Sequence, residues 1–268
     1  MISKRLTAGR FRLFLSVSVA LIAAFMFPAP AHAIGDYIGV EAAPWLQDFS
    51  ATGAIGTTTP GTEFDFANTL GLDDSTTASS GRVWVRLFGQ KSRFVFDYAD
   101  SSQNGSSVLT STLDFNDITF GSGETINTDL DMTLLQAKYR YSFVNLKIIE
   151  VGAHLGANLA QVNMRLDGSV TGLSALDEDV PFPTVGGTVI VKPFPGFHIR
   201  AEIDGAGVSV SGNEINILDA RVQVEYYFLH SFGIFAGYRM FDFEVDSDDF
   251  GRIDSSFEGA YAGLGLKF

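Results

Sequence analysis

Imidazole is the commonest general base near neutral pH, so the four histidines are weighed first. His154 shares one face of an alternating segment with Glu150, Gly152, Gly156 and Asn158, and a carboxylate or amide on that face could orient its ring. Nucleophilic catalysis would also need a hydroxyl within reach of that base, and no serine is assignable beside it. His198 and His230 fall near short turns, and His32 lies in the N-terminal leader. A larger set of charged residues falls on one side of the alternation: Arg82, Arg86, Arg93, Asp97, Lys138, Arg140, Glu150, Arg200, Glu202, Arg221, Glu225 and Arg239, with Glu41, Asp204, Asp219 and Lys267. Both signs on one face predict structural ion pairs that offset each other's desolvation. A third candidate is acidic: Asp246, Asp248, Gly251 and Asp254, with Asp249 adjoining, approach the spacing of a calcium loop. Phe250 occupies a ligand position and the bidentate Glu is missing, so the segment reads as a solvated acidic loop with loose divalent cations at a rim. No cofactor and no dedicated metal site are expected.

The elements that must position these residues are strands. From Leu218 to Phe228, Leu218, Ala220, Val222, Val224, Tyr226 and Phe228 alternate with Asp219, Arg221, Gln223, Glu225 and Tyr227, a period of two. Phe197 to Asp204 repeats the pattern, and the two segments predict a hairpin. Upstream, Lys4, Arg5, Arg10 and Arg12 precede an apolar run from Leu13 to Phe27 and a small-x-small site at Ala31-His32-Ala33. This predicts a cleaved export signal over residues 1–33 and one domain over 34–268. Taking those four basic residues from 18 Lys and Arg leaves 14 against 31 Asp and Glu, a charge of −17 that makes nucleic acid an unsuitable partner. There is no cysteine, so disulfides and thiolate metal sites are excluded.

Four short turns, at 89–92, 143–146, 192–196 and 228–231, alternate with longer stretches rich in Asp, Ser, Thr and Gly at about 49–78, 102–128, 164–181, 205–215 and 245–253. Short connections on one side and long ones on the other require strands in pairs. Ten fit, at about 36–48, 79–89, 91–101, 129–143, 145–163, 182–192, 196–206, 215–228, 230–244 and 254–268. Eight or twelve also fit, because Val108 to Phe120 reads either as a protruding hairpin or as two more wall strands. A ten-stranded interior is narrow enough for side chains to fill. Phe64, Phe66, Leu70 and Leu72 are unusual in an exposed loop; they need cover, as a lid over the mouth, as packing into the lumen or as a short extra strand.

At the end of the chain Ala260, Ala262, Leu264, Leu266 and Phe268 alternate with Gly259, Tyr261, Gly263, Gly265 and Lys267. Here the sequence resembles bacterial outer-membrane β-barrel proteins of the small OmpA/OmpX-like or OmpT-sized class, whose last strand commonly ends on Phe. The resemblance implies an all-β transmembrane antiparallel up-and-down barrel in the outer membrane, monomeric, with both termini periplasmic. It also implies lipid and lipopolysaccharide as surroundings and a C-terminal signature, Leu264, Leu266 and Phe268, read by the barrel-assembly machinery. Enzymatic barrels of this size carry signatures that do not recur. The only His-Ser dipeptide, His230-Ser231, lies at a turn, and the acidic pairs Asp73-Asp74 and Asp248-Asp249 have no external histidine. The expectation is a non-enzymatic structural or surface-interaction barrel, with a narrow or gated pore as the alternative and a lipid-modifying enzyme as the second.

Overall fold

The computed structural model describes residues 37–56, 61–87, 91–210, 213–228, 231–248 and 251–268. The expected export signal, His230 and Asp249 lie outside the described residues. Thirteen strands run through them: β1 (Ile38–Ile55), β2 (Phe64–Asp65), β3 (Ser75–Leu87), β4 (Ser92–Val108), β5 (Leu113–Phe115), β6 (Ile118–Phe120), β7 (Thr125–Asn145), β8 (Ile149–Gly168), β9 (Gly172–Phe194), β10 (Phe197–Val210), β11 (Asn213–Phe228), β12 (Phe232–Ser247) and β13 (Gly251–Lys267). Ten of these form the wall in the order β1-β3-β4-β7-β8-β9-β10-β11-β12-β13, each antiparallel to its neighbours. The ladder from Gly39↔Lys267 to Ile55↔Gly251 joins β1 to β13 and closes the ring. Closure leaves no sheet edge, the condition for a sheet to stand in lipid.

The strand count therefore resolves to ten. Residues 102–108 continue β4, Thr125 opens β7, and only the small β5–β6 hairpin lies between them. The strand ends that flank the four short turns lie at one end of the barrel, where Tyr37 N–H donates to Phe268 O and Phe268 N–H to Ile38 O, so Phe268 sits beside the first strand.

One parity points inward along each strand, but the chemistry of the two faces inverts partway up. On β8, the outward Ala153, Leu155, Ala157 and Leu159 give way to Gln161, Asn163, Arg165 and Asp167, while the inward His154, Gly156 and Asn158 give way to Ala160, Val162, Met164 and Leu166. On β12, the outward Ile234, Ala236, Tyr238 and Met240 are followed by Asp242, Glu244 and Asp246, and the inward Arg239 by Phe241, Phe243 and Val245. The half near the short turns is apolar outside and charged inside. The other half has the reverse arrangement of a water-soluble protein. Side chains such as Leu155, 66 % exposed, make sense only against hydrocarbon. Aromatic rings belt the short-turn end, with Phe194 stacked on Phe197 at 4.8 Å, Phe94 against Tyr139 at 5.4 Å and Phe228 against Phe232 at 5.0 Å. β9 is 23 residues long, about twice the 9–11 a strand needs to cross a bilayer, so the wall projects well beyond the apolar band.

That projection corrects the expected loops. The stretch 164–181 is mostly ladder, with β8 running to Gly168 and β9 starting at Gly172, a residue at φ 90° that ends a tight turn. β1 likewise extends to Ile55, β12 to Ser247 and β10 to Val210. Outside the membrane the outward residues become Asp, Asn and Thr, so the composition reads as loop although the backbone stays paired.

Leu155→Arg, at the middle of the apolar band, is expected to cost about 2–4 kcal/mol in urea unfolding from lipid vesicles. Asn163→Arg, on the same face of β8 but beyond the band and between Asp131 and Asp177, is expected to change it by no more than about 0.5 kcal/mol. Equal losses at the two positions would contradict the inversion.

Candidate functional site

The interior is closed by two different materials, one in each half. In the apolar-banded half the inward charges meet across the lumen. Arg82 on β3 donates to Asp97 on the adjacent β4 (Nε to Oδ1, 2.6 Å) and to Glu202 on β10 (Nη2 to Oε2, 2.6 Å). β3 and β10 are five places apart in a ring of ten, so this pair spans the diameter. Arg221 on β11 reaches Asp97 at 3.3 Å across another diameter. Around these bridges Arg140 donates to Glu202 (3.2 Å), Lys138 to Asp204 (2.6 Å), Arg200 to Glu41 (3.2 Å) and Arg239 Nε to Asp219 (2.9 Å). Arg200 also pairs with Glu225 at 2.6 Å, and Arg93 with Glu150 at 3.3 Å. Tyr261 Oη donates to Gln223. The cavity left between Glu41, Arg82, Asp97, Arg221 and Tyr261 has a volume of about 40 Å³, room for very few waters. Of the expected lumen set, Arg86 stands apart: it lies at the end of β3 and joins no ion pair among the described residues.

Above this tier the interior turns apolar. Arg239 marks the boundary, its guanidinium 4.8 Å from the Trp45 ring centre while it holds Asp219. Trp45, Phe49, Leu130, Met164, Phe241, Phe243 and Phe257 line the wall, and two inward-folded segments fill the space between them. One is β2 and the turn after it, burying Phe64, Phe66, Leu70 and Leu72; the other is the β5–β6 hairpin, burying Leu113, Phe115 and Phe120. Phe64 meets Phe115 at 5.9 Å and Phe49 meets Phe66 edge-on at 5.9 Å. Each buried Phe or Leu contributes about 1.5–3 kcal/mol by leaving water. Hydrogen bonds pin both segments: Thr62 N–H to Asp114 O and Asn116 N–H to Ile55 O along the backbone, and the Ser107 hydroxyl to Thr69 O. Asn116 and Asp117 take positive φ in the hairpin turn, where such residues are tolerated. The Phe64–Leu72 segment thus both pairs as a short strand and packs into the mouth.

His154 does not use the neighbours expected for it. Residues four apart on a strand are roughly 13 Å apart, and Glu150 instead binds Ser142, Arg93 and Lys192. Asn158 binds Thr184 and Phe182 O. The ring Nε2–H of His154 donates to Asp204 Oδ1 at 2.5 Å, and Nδ1 lies 3.3 Å from Thr188 Oγ1. Hydroxyl, imidazole and carboxylate stand in series, but all three are buried and Lys138 occupies the other oxygen of Asp204. The series braces β8, β9 and β10 against one another, and His154 borders an open groove on the apolar outer face beside Leu155, Val185 and Gly186. Only the strand register could have found Thr188, which lies two residues from the Gly186 opposite His154. His198, expected as a plain turn residue, sits 3.5 Å from Glu225. At the rim, Asp246 and Asp254 point outward opposite Arg252 and Glu244; among the described residues no group of three acidic or histidine side chains converges on a metal position.

Asp219→Ala leaves Arg239 and Arg221 facing one another with their shared carboxylate gone. The expected cost is about 3–5 kcal/mol, read as a lowered urea midpoint in detergent micelles. A midpoint equal to wild type would mean that the tier does not depend on pairing.

No family model and no curated protein matches the chain. Solved structures do. The outer membrane protease OmpT from Escherichia coli superposes with a TM-score of 0.57 at 10% identity, over 88% of this chain and 98% of that one. The translocator domain of the autotransporter NalP from Neisseria meningitidis gives 0.41 at 13% identity over 98% of both chains, and the attachment invasion locus protein Ail of Yersinia pestis 0.38 at 11%, over 86% and 99%. At such identities the likeness concerns architecture alone: the chain has the ten-stranded closed fold of outer-membrane β-barrel proteins.

Proposed function

We propose that this chain is a non-conducting, non-enzymatic outer-membrane protein with a structural and surface-interaction role. The observation that carries the reading is the double closure: ion pairs cross the lumen in one half and an apolar plug fills the other. In this reading the short turns and both termini face the periplasm, and the projecting half stands outside the cell as a rigid acidic post. Its surroundings are outer-membrane lipid and lipopolysaccharide, with loose divalent cations at the acidic rim. Leu264, Leu266 and Phe268 serve the assembly machinery, and the working unit is a monomer.

The outermost wall offers a contact surface. Val170, 86 % exposed, and Leu173 stand at the β8–β9 turn, and Val108 ends β4 at the same end of the wall, across β7 from it. Apolar side chains so far from the membrane gain nothing from water. The turn that presents them is held from within by Glu124, whose carboxylate accepts the N–H groups of Val170 (2.8 Å), Thr171 (2.6 Å) and Gly121 (3.0 Å) and the Thr171 hydroxyl (2.8 Å). The Thr171 N–H, ahead of the Val170 N–H and the hydroxyl, holds this carboxyl down to about 2 against the opposing effect of burial. A carboxyl held below its unfolded value stabilises the turn fully above the ordinary carboxylate range and loses that contribution as pH falls through about 2.

A gated pore is the second reading, favoured by the fact that loop segments, not wall strands, build the plug. The two readings part on one deletion. Removing residues 62–74 opens the apolar tier but leaves the ion-pair tier intact, so bilayer recordings are expected to show no conductance for either wild type or the deletion. Stepwise openings in the deleted protein would favour the gated pore instead. For the external turn, the Val170 and Thr171 amide signals in an acid titration are expected to move together with a midpoint near about 2. In Glu124→Ala they should lose that step and exchange hydrogen faster. A midpoint in the ordinary carboxylate range would show that Glu124 does not hold the turn.

A further inference from the structure

The short-turn end of the lumen carries more positive charge than the residues around it neutralise. Arg86, Arg93 and Arg140 stand directly opposite one another on the adjacent strands β3, β4 and β7, a row of three like charges. Like charges so placed destabilise a ladder unless something compensates them. Lys192 and Arg200 add two more cations nearby, and among the described residues the side-chain carboxylates paired with them at this level are Glu150 and Glu225. Glu202 and Glu41 lie further in and are shared with Arg82 and Gln223.

The hydrogen bonds show the same deficit. Among the described residues, six buried side-chain N–H groups lack an acceptor, and five of them belong to this end: Trp84 Nε1, Arg86 Nε, Arg93 Nε, Arg140 Nε and Arg200 Nε. Trp84 is 5 % exposed, its indole lying across Gly39, where any Cβ would overlap the ring, and Arg93 stacks on it at 5.1 Å. Buried donors without acceptors are rare, and several together call for an acceptor from outside the chain. Trp84, Arg93, Lys192, His198, Arg200 and Lys267 line a cavity of about 20 Å³ together with Glu225, whose carboxylate is taken by Arg200. That volume admits about one water-sized atom, so a ligand would insert an oxygen and leave its body at the rim beside Lys192, with Arg86 flanking from the end of β3 opposite Arg93.

We propose that the short-turn mouth of the barrel is an oxyanion site, taking a phosphate or carboxylate group from that side through the Arg86–Arg93–Arg140 row and the Trp84 indole N–H. Guanidinium groups suit planar or tetrahedral oxyanions because their N–H forks match paired oxygens. The site does not depend on whether the barrel conducts, and it is the electrostatic opposite of the acidic outer post.

The two tryptophans make the test selective. Trp45 Nε1–H is already bonded to Gly259 O at 3.2 Å, whereas Trp84 Nε1–H is free. The full chain, folded in uncharged micelles, is titrated at constant ionic strength with sodium phosphate, glycerol phosphate, acetate and chloride while the two indole N–H signals are followed by NMR. A saturable shift of the Trp84 signal with phosphate, glycerol phosphate or acetate, with Trp45 still, is the expected result. Tighter binding of glycerol phosphate than of inorganic phosphate would point to a phosphomonoester on a larger molecule; tighter binding of acetate would point to a carboxylate. Arg86→Gln, which breaks no ion pair, is expected to weaken the interaction about tenfold, the scale of one charge-assisted hydrogen bond. An unmoved Trp84 signal, a linear shift shared equally by chloride, or an Arg86→Gln affinity equal to wild type would each overturn the proposal. Lys192→Gln supplies a second variant if Arg86→Gln does not fold.

Discussion

Every backbone N–H and C=O inside an apolar band must find its partner within the chain, and the β13–β1 ladder is what makes that possible. The other features follow from closure at ten strands. A ring of that size encloses a space narrow enough for side chains to fill, and here the inward side chains meet across it. Where lipid surrounds the wall, outward positions are apolar and the remaining polar residues are inside, able to stay charged only by pairing. Where water surrounds it, the same geometry fills from the other chemical stock, Phe, Leu and Val, with help from two infolded loops.

The inward parity and the gathering of the short connections at one end were legible because period-two alternation survives wherever one face meets lipid; ten strands fitted that alternation, but eight and twelve did too. The inward reading of Arg82, Asp97, Glu202 and Arg221 came from parity alone, but which of them meet did not, since pairs such as Arg82 and Glu202 join strands on opposite sides of the ring. Thr188 carried no signal of its own, and Glu124 looked like one carboxylate among many. The outer strand ends were misread as loops because composition was taken for conformation: Asp177 and Asp179 are outward ladder residues of β9, not loop residues. The Phe64–Leu72 segment announced that it needed cover, and only the folded chain shows the β5–β6 hairpin supplying it.

The charge distribution has a direction. Outward acids crowd the projecting half, while cations collect at the short-turn mouth, so a chain of negative total charge presents a positive basin at one end. A function that relied on flow through the lumen would be poorly served by this arrangement, which closes the middle twice. A function that relied on touching different things at the two ends would be well served.

The diameter-spanning ion pairs also bear on how the molecule forms. Arg82 and Glu202 are separated by 120 positions in the chain, and Arg221 and Asp97 by 124. Neither pair exists until hairpins from both halves of the sequence have come round to face each other. Before that moment the charges that will be mutually satisfied are unpaired, and a half-built sheet entering lipid would expose them to hydrocarbon. Insertion and closure are therefore bound into one event, with a barrier set by contacts remote in sequence. Once the seam zips, Arg82, Asp97, Arg221 and Glu202 lock together at once, and unfolding must break them together.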